Sequence, residues 1–174
     1  MSGAATGTDG VVVQVGGLSR SDLVAALREH GVQLNAHAET LLEHPAFDEV
    51  VPATLRIVDR SVEDLGLSAG GSLEQVFSAA RTQGLELCPA TTGPYLRLAL
   101  MEQSNAPDSV LSAGRAPAGA LHVAAEPLSE DDEYPKGFYL RVVDGVVWLR
   151  GYRCDDMYVY PSDQRFAFVL PERS

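Results

Sequence analysis

The stretch FYLRVVDGVVWLRGY, Phe138–Tyr152, places two runs of β-branched and aromatic residues on either side of Asp144-Gly145. An Asp-Gly pair adopts positive φ at little cost, so it predicts a two-residue hairpin turn. Such a turn fixes the register outward: Val143 faces Val146, Val142 faces Val147, Leu140 faces Leu149. With Phe138 the Leu140–Leu149 and Val142–Val147 pairs make a continuous apolar face, which belongs on a core. The opposite face pairs Arg141 with Trp148 and Tyr139 with Arg150, and Tyr152 follows on the same side. A guanidinium over an indole gains about 0.5–1 kcal/mol when exposed. The outer face therefore reads either as an Arg/aromatic platform for an anion, a peptide or a base, or as a plain sheet face whose arginine stems cover Trp148. Arg153, Tyr158 and Tyr160 come soon after and raise the local density of ring side chains, which favours recognition.

Outward from the hairpin, Leu121–Ala125 and Arg165–Leu170 read as strands. Toward the N-terminus the pattern turns helical. Ser19 with Asp22 three residues on predicts a capped helix carrying Leu23, Ala26 and Leu27, stopped by Gly31. A second helix is expected from about Gln33 to His44, ended by Pro45. Ser72 with Gln75 predicts a third, carrying Val76, Phe77 and Ala80 and closed by Gly84. Val11–Val15 reads as a strand or an extended arm, and Thr54–Val58 and Tyr95–Met101 read as strands, the last from its alternation. Helices crowd the first half and strands the second, which argues an α+β fold: N-terminal helices packed on a mostly antiparallel sheet built by the C-terminal half. Residues 1–10 read as a disordered N-terminus, 11–174 as a single α+β domain, and 103–119 as a long Pro/Gly-rich loop.

The chain has 174 residues, enough for a real core without staples. Its net charge of -11 repels phosphate backbones and anionic lipid, so neither nucleic acid nor membrane is an expected partner. Of 13 basic residues only Lys136 is lysine, a composition in keeping with a bacterial protein. Cys88 and Cys154 lie in no metal-ligand spacing and read as small buried hydrophobes. The start lacks a basic segment and a long apolar run, so a cytoplasmic location is expected.

Catalytic motifs are missing. The chain has no P-loop, no dinucleotide fingerprint, no H-E-x-x-H and no nucleophile elbow, so no cofactor or metal is expected. His30, His37 and His44 recur every seven residues, but Gly31 interrupts any common helix. His122 with Glu126 or Asp131, beside an acidic run from Glu126 to Glu133, is the one pattern suited to a general base. Its alternative is a sheet histidine next to a solvated acidic loop.

Two further motifs carry a resemblance. LCPATTGPYLRL, residues 87–98, and PKGFYLR with WLRGYR, residues 135–141 and 148–153, resemble a family of single-domain bacterial proteins. That family carries L-C-P-x-x-x-G-P-x-L-R-L and P-K-G-F-Y-L-R…W-L-R-G-Y-R. The resemblance spans roughly residues 18–170 and implies a free-standing bacterial domain, but it assigns no catalytic residue. Within the motifs, Pro89 and Gly93-Pro94 read as backbone punctuation, and Arg97 as a strand residue paired with an acid of the run at 126–133. Taken together, the residues predict a non-enzymatic cytosolic binding or regulatory module. It would use Tyr139, Arg141, Trp148, Arg150 and Tyr152 toward a protein or small-molecule partner. The competing expectation is a small hydrolase-like enzyme built on His122.

Overall fold

The structure, a computed structural model, describes residues 10–48, 50–100, 120–129, 131, 133–143, 145–153 and 157–171. The expectations for the first nine residues, for loop 103–119 and for Cys154 lie outside them. The elements run β1 (Val11–Val15), α1 (Arg20–Glu29), β2 (Gln33–Leu34), α2 (Ala36–Leu42), a short 3-10 turn (Pro45–Phe47) and β3 (Ala53–Ser61). Then come β4 (Gly71–Ser72), α3 (Leu73–Thr82), α4 (Thr92–Ala99), β5 (Ala120–Val123), β6 (Gly137–Val143), β7 (Val146–Tyr152), β8 (Val159–Tyr160) and β9 (Arg165–Val169). Seven strands form one sheet in the order β1-β3-β9-β5-β6-β7-β2, and β4 pairs with β8 in a separate ribbon. Among the described strands only β9 with β5 and β2 with β7 run parallel, so the fold is α+β on a mostly antiparallel sheet. The C-terminal half supplies β5, β6, β7 and β9, and β1, β2 and β3 extend the sheet from the N-terminal half.

The hairpin register is as the turn dictates, from Val143 against Val146 out to Gly137 against Tyr152. Gly145 holds φ 81°, the left-handed conformation the turn needs. Because side chains alternate, each strand feeds two layers. Phe138, Leu140 and Leu149 join Leu121, Val123, Ala167 and Val169 beneath α1, α2 and α4. Val58, Phe166 and Phe168 face the other way, against Val76, Phe77 and Ala80 of α3.

Caps mark the helix starts that the sequence predicts. The Ser19 side chain accepts from the Asp22 N–H, and Ser72 and Gln75 form a reciprocal capping box. Two expectations change. The segment from Tyr95 to Leu100 is not a strand: Thr92–Ala99 is a helix, with Pro94 in its first turn, where a missing N–H costs nothing. Most of its residues are buried, so no polar face disclosed the helical period. The second helix begins only at Ala36, because Asn35 caps it and Gln33–Leu34 add a strand to β7. The final strand, β9, lies between β3 and β5, and the edges of the sheet are β1 and β2. No helix among the described residues is long and apolar enough to cross a membrane.

Candidate functional site

β5 sends Leu121 and Val123 into the first core and turns Ala120 and His122 to the other face. Pairing sets His122 beside Tyr139 and Ala120 beside Arg141 on β6. The His122 ring stacks on Tyr139 at 5.1 Å and 13°. Tyr152 and Tyr160 meet it edge-on at 4.6 and 5.4 Å, geometries that aromatic quadrupoles favour.

Gln164, in the turn before β9, locks this histidine. Its Nε2 lies 3.1 Å from the Ala120 carbonyl, 3.2 Å from the Arg165 carbonyl and 3.0 Å from His122 Nδ1. Two carbonyls only accept, so the nitrogen end of the amide must point there. His122 Nδ1 therefore accepts, and the ring proton resides on Nε2. Burial pushes the imidazole down to about 3, so the ring is neutral at ordinary pH.

Tyr160 reaches the histidine through β8. The β4–β8 ribbon pairs Gly71 with Tyr160, and Ser72, the next residue, caps α3. A Cβ at Gly70, where φ is 90°, would lie 2.4 Å from the Tyr160 carbonyl oxygen. Gly70 is thus more than a turn glycine: its missing side chain lets the ribbon close.

A cavity of about 290 Å³ opens over Ala120 and His122. Tyr139, Tyr152, Tyr158 and Tyr160 wall it, and Arg141, Arg153 and Gln164 complete its lining. Of the five residues expected on the hairpin's binding face, the structure brings Tyr139, Arg141 and Tyr152 to this cavity. Trp148 and Arg150 are not part of its lining. The cation on the indole is Arg150, 4.1 Å above the Trp148 ring, and not the cross-strand Arg141. Residues two apart on one strand share a face, which gives Trp148 a cation from its own strand and leaves Arg141 to the cavity.

The hydrolase-like pairing of His122 with Glu126 or Asp131 is not brought together. Glu126 pairs with Arg81 of α3 at 3.0 Å, Asp131 caps the Glu133 N–H, and His122 bonds Gln164. Cys88 is buried, donates to the Ala167 carbonyl at 3.6 Å, and burial pushes its thiol up to about 12, so it holds no thiolate. A larger concavity of about 540 Å³ borders Cys88, Leu55 and Leu87; of its charged residues Arg81 and Glu126 pair with each other, and Glu86 is the third. Arg97 points from α4 to the Trp148 carbonyl at 3.4 Å rather than to an acid, and burial lowers its guanidinium to about 10. Among the described residues no three His, Cys, Asp or Glu side chains gather as metal ligands.

Sequence reasoning missed Gln164 and Ala120. The signals present were a polar residue directly before the aromatic run RFAFV and the alternation of Tyr158 and Tyr160, which sets both rings on one side. The motif glycines also gain a packing role. A Cβ at Gly93 would enter the Phe138 ring at 2.6 Å, and one at Gly151 would meet the His37 backbone at 2.7 Å. No protein-family model, no curated protein and no solved structure matches the chain.

Proposed function

We propose that this chain is a non-enzymatic cytosolic binding or regulatory module, which captures its partner in the cavity on the outer face of the hairpin. The observation that carries this reading is the cavity's construction: rigid aromatic walls around a neutral histidine whose orientation Gln164 fixes. Rigid rings give contact area at low entropic cost, which is how recognition surfaces gain affinity. Among the described residues the lining offers hydrogen-bond donors but no carboxylate to act as a base, and its histidine is too desolvated to gain a proton near neutrality. With a net charge of -11 the chain is a poor match for nucleic acid or anionic lipid, which leaves a small molecule or a protein segment.

The test changes Arg141→Ala and Tyr158→Ala together. Both side chains line the cavity, and Tyr158 is half exposed, so the fold tolerates the change. Affinity capture from bacterial cytosol, read for proteins and metabolites by mass spectrometry, should lose its specific signal while the melting temperature stays within a few degrees. The control pair Trp148→Ala with Arg150→Ala, off the cavity, should keep the signal. Capture that survives the first pair and fails with the second would move the site away from this cavity.

A further inference from the structure

The chemistry of the lining narrows the class of ligand, an inference that rests on the binding reading above. The protein carries 24 acidic against 13 basic residues, yet among the described residues this cavity is lined by two arginines and no acid. Arg153 is partly satisfied by Glu133 at 3.0 Å. Arg141 is half-buried and makes no hydrogen bond or ion pair with the described residues. A cation held out of bulk water without a partner is unfavourable, and a bound anion removes that cost. His122 adds a second donor of fixed direction, since its Nδ1 is engaged by Gln164 and its proton is on Nε2. Beside these donors Tyr158 is 50% exposed and touches Tyr160 edge-on at 4.7 Å, so one broad ring face remains uncovered. A volume of about 290 Å³ lies at the small end for ligand pockets, which suits one ring with one charged substituent and excludes a dinucleotide.

We infer that the cavity binds a small planar anion, an aromatic ring bearing a carboxylate or a phosphate. Its oxyanion lies on the Arg141 guanidinium and its ring against Tyr158. Ala120, directly beside Arg141 in the β5–β6 register, supplies the floor space that the oxyanion occupies.

Four probes test this by titration, with ligand-observed and protein NMR as readout: benzoate, phenyl phosphate, neutral benzamide and inorganic phosphate. Fragments of this size bind with a Kd of about 1 mM when they fit. The better of the two aromatic anions should bind at least about tenfold tighter than benzamide and inorganic phosphate. Which of the two wins identifies the headgroup. Arg141→Gln should abolish the preference for the anion over benzamide. Ala120→Leu, which fills the floor, should block every aromatic probe, and a folded spectrum checks that this variant remains native. Benzamide binding as tightly as benzoate would overturn the anion assignment and leave the binding surface intact. So would the absence of binding by any probe, provided that Arg141→Ala with Tyr158→Ala still removes partner capture. Silent probes together with undiminished capture by that double variant would overturn both the ligand class and the site.

Discussion

His122 is the residue on which the site turns, and its environment makes a sharp prediction about pH. In the folded state burial holds the imidazole at about 3, against an ordinary value of 6.5. The unfolded chain therefore binds the proton more readily, and stability must fall as pH drops through 6.5 toward 3. At pH 4.5 the loss from this one group is about 2.5 kcal/mol relative to pH 7. His122→Phe removes the titration, keeps a ring against Tyr139, and leaves the Gln164 amide its two carbonyl acceptors. Urea unfolding at pH 7 and at pH 4.5 should show a wild-type loss that exceeds the variant's by about that amount. Equal losses would mean that the ring takes up its proton in the native state and is not desolvated. At this scale the sequence was only half legible. It marks His122 as unusual, and it points to the nearest acids as partners because they are close in the chain. The true partner, Gln164, is 42 residues away and is brought near only by the parallel pairing of β9 with β5.

At the scale of elements, the contact between α2 and β7 shows how one polar side chain does the work of a strand. β2 pairs in parallel with β7 for two residues and then stops at Asn35. The Asn35 amide continues the ladder: its Nδ2 donates to the Gly151 carbonyl at 3.1 Å and its Oδ1 accepts from the Gly151 N–H at 2.9 Å. The same Oδ1 accepts from the Ala38 N–H at 2.8 Å and so caps α2. Asn35→Ala should cost about 2–3 kcal/mol, a cap and two backbone bonds together. Asn35→Ser restores the cap alone and should recover about 1 kcal/mol of that. Gly151→Ala drives a methyl into the backbone of α2, where no rotamer change relieves it, and should cost at least about 1–3 kcal/mol. Denaturant midpoints at constant m-value check all three. An Asn35→Ala variant as stable as wild type would mean that water replaces the amide at no cost. The helix over Thr92–Ala99 shows why periodicity alone fails for some elements. Gly93, Tyr95, Leu96 and Arg97 are all buried, so burial follows neither a period of two nor one of 3.6. The hairpin was legible because its turn chemistry and its alternation agree.

For the whole molecule, the sheet is covered unequally, and that inequality makes the site. One face carries α1, α2 and α4, and the other carries α3 and the small β4–β8 ribbon. Among the described residues, the half of the second face built by β5, β6 and β7 is left to aromatic and arginine side chains, and these surround the cavity. Composition and order of elements were sufficient to identify an α+β fold, because helix caps and strand alternation are local signals. The order of the strands was not, since β9 reaches the centre through long-range pairing that no local pattern encodes. That central position implies cooperativity between the two layers. Phe166 and Phe168 belong to one core and Ala167 and Val169 to the other, all on the same five-residue strand. A cavity cut into the first layer should therefore weaken the second by the same free energy. Leu96→Ala, at a fully buried position of α4, should cost about 2–5 kcal/mol. Native-state hydrogen exchange then tests the coupling: the Phe166 and Phe168 amides should lose protection by that same amount. If they kept wild-type protection while amides of α4 exchanged faster, the layers would open separately. The cavity would then rest on a part of the molecule that folds without α4.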